Sequence, residues 1–164
     1  MKIRRAIQGF FIVMLLACAS WLLAFWYLVH LEDYSPKPGS IMYYIGISSL
    51  VRNAPVPDAA AEPEYFGSVG DGNKLPQSEI SFATHAQHVG RATDALSSYL
   101  HKASFQQRPV SADAVNNAAS LIPEGVHLAS YTEYVSSASE VVVLTVTKAA
   151  DADNRYKVTM THYD

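Results

Sequence analysis

Apolar residues fill positions 7–29 almost without interruption (IQGFFIVMLLACASWLLAFWYLV), with Gln8 and Ser20 as the polar breaks and no charge. At about 1.5 Å of rise per residue, a helix of that length covers about 34 Å, against about 30 Å of bilayer hydrocarbon, so the pattern predicts one membrane-spanning helix. Lys2, Arg4 and Arg5 precede the run, whereas Glu32 and Asp33 follow it. The positive-inside bias then places the N-terminus in the cytoplasm of a bacterial-type cell and the C-terminal part on the periplasmic side of the inner membrane. Trp21, Trp26 and Tyr27 gather toward the end of the run, as rings do at a headgroup layer, which fits a retained signal-anchor ending near His30.

Beyond the run, Ser35-Pro36-Lys37-Pro38-Gly39 stops helix formation, because proline cannot donate to the helical ladder. The run Ile41–Ile47 is apolar and aromatic but too short to cross lipid, and reads as a buried strand, a short packed segment or an element at a membrane surface. Ala54–Glu64 (APVPDAAAEPE) and the glycines from Gly67 to Gly72 offer little to bury and predict an extended linker. From Ser78, Phe82, Ala86, Val89, Thr93, Leu96, Leu100 and Ala103 recur in steps of four and three, which predicts an amphipathic helix of about six turns with Ser78 as its N-cap. Gly90 lies inside it, a placement that close packing would justify. Ser111, followed by Asp113, starts a second helix that stops at Pro123.

Val126–Val135, Glu140–Thr147 and Arg155–Tyr163 are rich in Val, Thr and Tyr, and the connections between them are short enough for hairpins. In the last of them Tyr156, Val158, Met160 and His162 alternate with Arg155, Lys157, Thr159 and Thr161. The fold class expected is therefore α+β: a single N-terminal transmembrane helix, a Pro/Ala/Gly-rich linker, then two helices packed on a three-stranded antiparallel meander. The corresponding segments are 1–31 (basic tip and anchor), 32–77 (stalk) and 78–164 (exported domain).

Two short stretches near the N-terminus invite processing. Leu15-Leu16-Ala17-Cys18 resembles the lipobox of bacterial lipoproteins, which would make Cys18 the lipidated first residue of a mature chain, although the apolar run continues well past it. Gly9-Phe10 resembles a type IV prepilin cleavage site, but Met14 stands where that family has glutamate, and Pro36 and Pro38 would break the stem helix. The order of two helices followed by three strands is similar in layout to small envelope lipoproteins of the outer-membrane assembly machinery.

Hydrophobic residues make up 49% of the chain and charged residues 16%, an imbalance the N-terminal run accounts for. All fifteen Asp and Glu follow that run, with nine of the twelve Lys and Arg, which leaves the remainder at a formal charge of −6. Such a domain repels phosphate backbones, so nucleic-acid binding is disfavoured. Cys18 is the sole cysteine, so no disulfide can close within the chain.

Candidate chemistry is sparse. His85 and His88 lie three apart, as metal ligands on a helix can, but no HExxH pattern accompanies them and His101 is distant. Asp151-Ala152-Asp153-Asn154 has the carboxylate density of a calcium loop without its glycine or distal glutamate, and reads as a hairpin turn. Gly67-Ser-Val-Gly70-Asp-Gly72 lacks the lysine of a phosphate loop, and no serine sits in a GxSxG elbow. Glu133 and Glu140, in neighbouring strands, read as solubilising carboxylates of an exposed sheet face rather than as an acid/base pair.

No catalytic, cofactor-binding or metal-binding residue is therefore assigned. The expected role is that of a non-enzymatic, membrane-anchored protein whose exported domain binds another protein, as an accessory or assembly subunit of an envelope complex. The alternatives are a structural lipoprotein anchored through Cys18 and a small periplasmic enzyme or ligand binder. An exposed Tyr43-Tyr44 would be a contact patch.

Overall fold

The computed structural model describes residues 12, 14–23, 33–70, 75–150 and 154–163. The chain divides into two compact units between Glu32 and Asp33. In the first, residue 12 and residues 14–23 are helical, with Cys18 exposed.

The second unit is built on a seven-stranded, wholly antiparallel sheet. Its elements in chain order are β1 (Asp33–Tyr34), α1 (Ile41–Gly46), α2 (Ser49–Arg52), β2 (Glu64–Ser68), β3 (Gln77–His85), α3 (Val89–Lys102), β4 (Gln106–Arg108), α4 (Ala112–Ser120), β5 (Val126–Val135), β6 (Val141–Ala149) and β7 (Arg155–Tyr163). Across the sheet the strands run β1-β2-β3-β7-β6-β5-β4, so the C-terminal strand lies at the centre, clasped between β3 and β6.

Alternation sorts the strands into two faces. Tyr65, Ile80, Phe82, Tyr134, Val142, Leu144, Val146, Val158 and Met160 all fall on one face, and they form a single core with Ile47, Val51, Ala92, Leu96, Leu100 and Phe105. Leu96, Leu100, Ile80, Val158 and Met160 are fully buried, each contributing on the order of 1.5–3 kcal/mol by leaving water. Two hydroxyls tie the helices to each other and to the sheet. Tyr99 donates to the Leu50 carbonyl at 2.8 Å, and Tyr134 to Ser97 Oγ at 3.0 Å.

At one edge the Tyr34 ring fills the space above Gly46 and Gly67, where an added Cβ would collide with its ring atoms. Its hydroxyl donates to the Gly46 carbonyl at 2.6 Å. Glycine at these two positions is what lets the ring close the edge.

This architecture corrects the expected fold class. The three C-terminal strands do form a meander, but they are three of seven, and the stretch expected to be a stalk supplies β1, β2, α1 and α2. The long helix expected from Ser78 is instead strand β3, a 3₁₀ turn at Ala86–His88 and then α3. In β3, Ser78, Ile80, Phe82 and Thr84 alternate into the interior while both edges pair, with β2 and with β7. Phe82 satisfies the helical and the strand period equally, so pairing decided the outcome.

Ile41–Gly46 is a helix, not a strand, because Ser40 caps it by accepting from the Tyr43 amide at 3.2 Å. It leaves Ile41, Tyr44 and Ile45 exposed. Ser111 caps α4 through the Ala114 amide.

The membrane topology also needs correction. No helix among the described residues is long and apolar enough to cross a membrane. The ten consecutive helical residues 14–23 span about 15 Å, half of a hydrocarbon core, and the rest of the expected span over 7–29 lies outside the described residues apart from residue 12. A transmembrane signal-anchor, and with it a single-pass inner-membrane location with a periplasmic domain, is therefore not supported.

Candidate functional site

The face of the sheet opposite the core carries mostly polar residues, Ser81, Thr161 and Glu133 among them buried, and register lines its residues into transverse rows. One row runs Phe66, Glu79, Thr161, Val143, Glu133, Arg108 across six strands. The next runs Glu64, Ser81, Thr159, Thr145, Tyr131.

At the β2-β3-β7 end these rows floor an open trough of about 1280 Å³. Phe66, Glu79, Ser81 and Lys157 lie along its floor, and Ser35–Pro38 and Glu62–Glu64 form its walls. The prolines stiffen both walls by fixing φ. A recess of about 350 Å³ continues from it, sharing Glu62, Glu64, Ser81 and Lys157 and adding Arg155 and Tyr156.

Two carboxylates in one row have different surroundings. Glu133, buried at 7% exposure, accepts from Arg108 Nε and Nη2 at 2.5 Å on one oxygen and from the Tyr131 hydroxyl at 2.7 Å on the other. It is a satisfied cross-strand pair, with Arg108 supplying the countercharge. Among the described residues Glu79 receives one hydrogen bond, from Thr161 Oγ1 at 3.1 Å. The nearby cation Lys157 has its Nζ 3.7 Å from Glu64. Burial pushes the Glu79 carboxyl above the usual carboxylate range, against the opposing pulls of the Thr161 hydroxyl and Lys157. Tyr163 is likewise raised, first by burial and then by the fields of Glu79 and Glu133.

The residues singled out by sequence are dispersed. His85 ends β3, His88 sits in the 3₁₀ turn with Nδ1 3.7 Å from Asp58 Oδ2, and the His101 ring meets the Phe105 carbonyl at 3.1 Å. No three His, Cys, Asp or Glu side chains converge as metal ligands among the described residues. Glu140 accepts from Ser136 Oγ at 3.1 Å and does not face Glu133, whose cross-strand partner is Val143. Gly67 and Ser68 belong to β2, not to a loop. Asp151–Asp153 and Gly72 lie outside the described residues. Tyr44 is exposed on α1, whereas Tyr43 packs edge-on against Tyr65 at 4.8 Å between centroids.

The trough is not legible in local sequence because β3 and β7, two of the strands in its floor, pair across a long separation. Glu79 and Thr161 are 82 positions apart. The signal open to local reading was the alternation of Ser78, Ile80, Phe82 and Thr84, which puts Glu79 on the opposite face. Chemically, the arrangement offers an open depression with a partly desolvated carboxylate among its lining residues. No known protein family, curated protein or solved structure matches this chain.

Proposed function

We propose that the domain is a protein-binding module, an accessory or assembly subunit of a larger complex, and that it receives an extended segment of another protein in the trough on the open face of its sheet. The observation that carries this reading is the trough itself: an open depression of about 1280 Å³ lined by Ser35–Pro38, Glu62–Phe66, Glu79, Ser81 and Lys157, with Glu79, Ser81 and Lys157 on the sheet face opposite the helix-covered core. Its volume exceeds the roughly 300–1,000 Å³ of a usual small-molecule pocket, and its proline-bearing rim suits a peptide segment better than a compact metabolite. Support also comes from Ile41, Tyr44 and Ile45, which are 79%, 60% and 60% exposed on α1, the helix that begins just after the Ser35–Pro38 wall. Exposed apolar side chains gathered on one helix are a usual mark of a contact surface.

The test is site-specific photo-crosslinking in the native cell. A benzophenone amino acid at Phe66, on the trough floor, is expected to give a discrete adduct that excess unlabelled domain competes away. The same group at Lys102, at the end of α3, is expected to give none. Equal or absent adducts at the two positions would refute the proposal.

A further inference from the structure

We propose that Glu79 is the anchoring carboxylate of this trough and that the segment it receives presents a lysine or arginine side chain to it. The inference rests on the reading of the trough as a segment-binding site and adds the chemistry of what enters. Its basis is the contrast between two glutamates in one transverse row. Glu133 has a guanidinium and a phenol placed on its two oxygens. Glu79 lines an open trough with one threonine hydroxyl as its hydrogen-bond donor.

A carboxylate removed from water and left without a full countercharge is destabilising, and a cation arriving from outside relieves that penalty. Lys157 does not fill the role, since its ammonium lies against Glu64 on the wall. Around the trough the carboxylates Glu62, Glu64 and Glu79 outnumber the ammonium groups of Lys37 and Lys157. Beyond the N-terminal apolar run the chain carries a formal charge of −6. The overall field therefore draws a cationic segment toward the site. An arginine or lysine seated there would meet Glu79 at the floor while its alkyl stem lies along Phe66.

The experiment uses the full chain and two ten-residue peptides, acetylated and amidated, with an extended Ala/Ser/Thr sequence and either lysine or norleucine at the centre. Binding is followed by amide chemical shifts in 0.15 M salt. The lysine peptide is expected to bind at least tenfold more tightly than the norleucine peptide, with shifts at Glu79, Ser81 and Thr161. In Glu79→Gln that preference is expected to fall below threefold while the spectrum stays that of a folded protein. Equal binding of the two peptides, absence of binding by both to millimolar concentration, or a lysine preference that survives in Glu79→Gln would overturn the assignment. Should the preference be absent while crosslinking at Phe66 still captures a partner, the cationic anchor fails and the trough reading stands.

Discussion

Ile80→Ala separates the strand from the helix that the same stretch of sequence suggests. Ile80 is fully buried in β3, in register with Tyr65 on β2 and Met160 on β7. Truncation removes three carbons, worth about 0.8 kcal/mol each in transfer from water, or about 2.4 kcal/mol. The incompletely collapsed space that remains adds on the order of 1 kcal/mol at about 24 cal/mol per Å³, so the expected loss is about 3 kcal/mol. For a unit of roughly 130 residues that is about 10 °C in Tm. Were residues 78–103 one helix with Phe82, Ala86 and Val89 on its buried stripe, Ile80 would lie about 200° around from Phe82, facing water, and alanine there would change stability by about 0.5 kcal/mol or less. Urea unfolding followed by circular dichroism, with an unchanged m-value, measures the difference. A loss below 1 kcal/mol would refute the strand assignment and the open face that depends on it.

Three further outcomes follow from the geometry. Gly90→Ala is expected to stabilise by about 0.5–1 kcal/mol in the same assay, because an added Cβ on this helical residue meets nothing within 4 Å. Arg108→Met leaves the Glu133 carboxylate buried with only Tyr131 as donor and is expected to cost about 2 kcal/mol, a figure reduced for the half-exposed arginine; Arg108→Met combined with Glu133→Gln should recover most of it. For Glu79, burial raises the folded-state pKa, so the folded chain holds that proton to higher pH than the unfolded chain does. The resulting stability is present at pH values below the ordinary carboxylate range and is lost as pH rises through the folded-state value. Glu79→Gln lacks this loss, so it should be more stable than wild type at pH 7 and the gap should close toward pH 4, as read from paired unfolding curves. A destabilised Glu79→Gln at pH 7 would contradict an uncompensated carboxylate.

Local patterns carried part of the architecture. Ser111 with Asp113 marked α4 because capping is a property of neighbouring residues, and the Val- and Thr-rich runs after Gly125 marked β5 to β7 for the same reason. β2 was hidden because Glu64–Ser68 is five residues long and follows a Pro/Ala-rich stretch, and its pairing with β3 supplies the order that composition does not. Gly90 was expected to pack closely and instead faces open space. The partnership of Glu79 with Thr161, and the contrast with Glu133, exist only once β3, β7, β6 and β5 lie side by side in register. A row assembled from four strands leaves no trace in the spacing of residues along one of them.

The proposed occupant of the trough on the open face is an extended segment of a partner protein. Amide chemical-shift mapping of the labelled domain, titrated with the segment identified by crosslinking at Phe66, tests it most directly. Perturbations should concentrate at Phe66, Glu79, Ser81 and Lys157 and leave Ala92, Leu96 and Leu100 unmoved. Shifts concentrated on α3, with the trough floor silent, would contradict it.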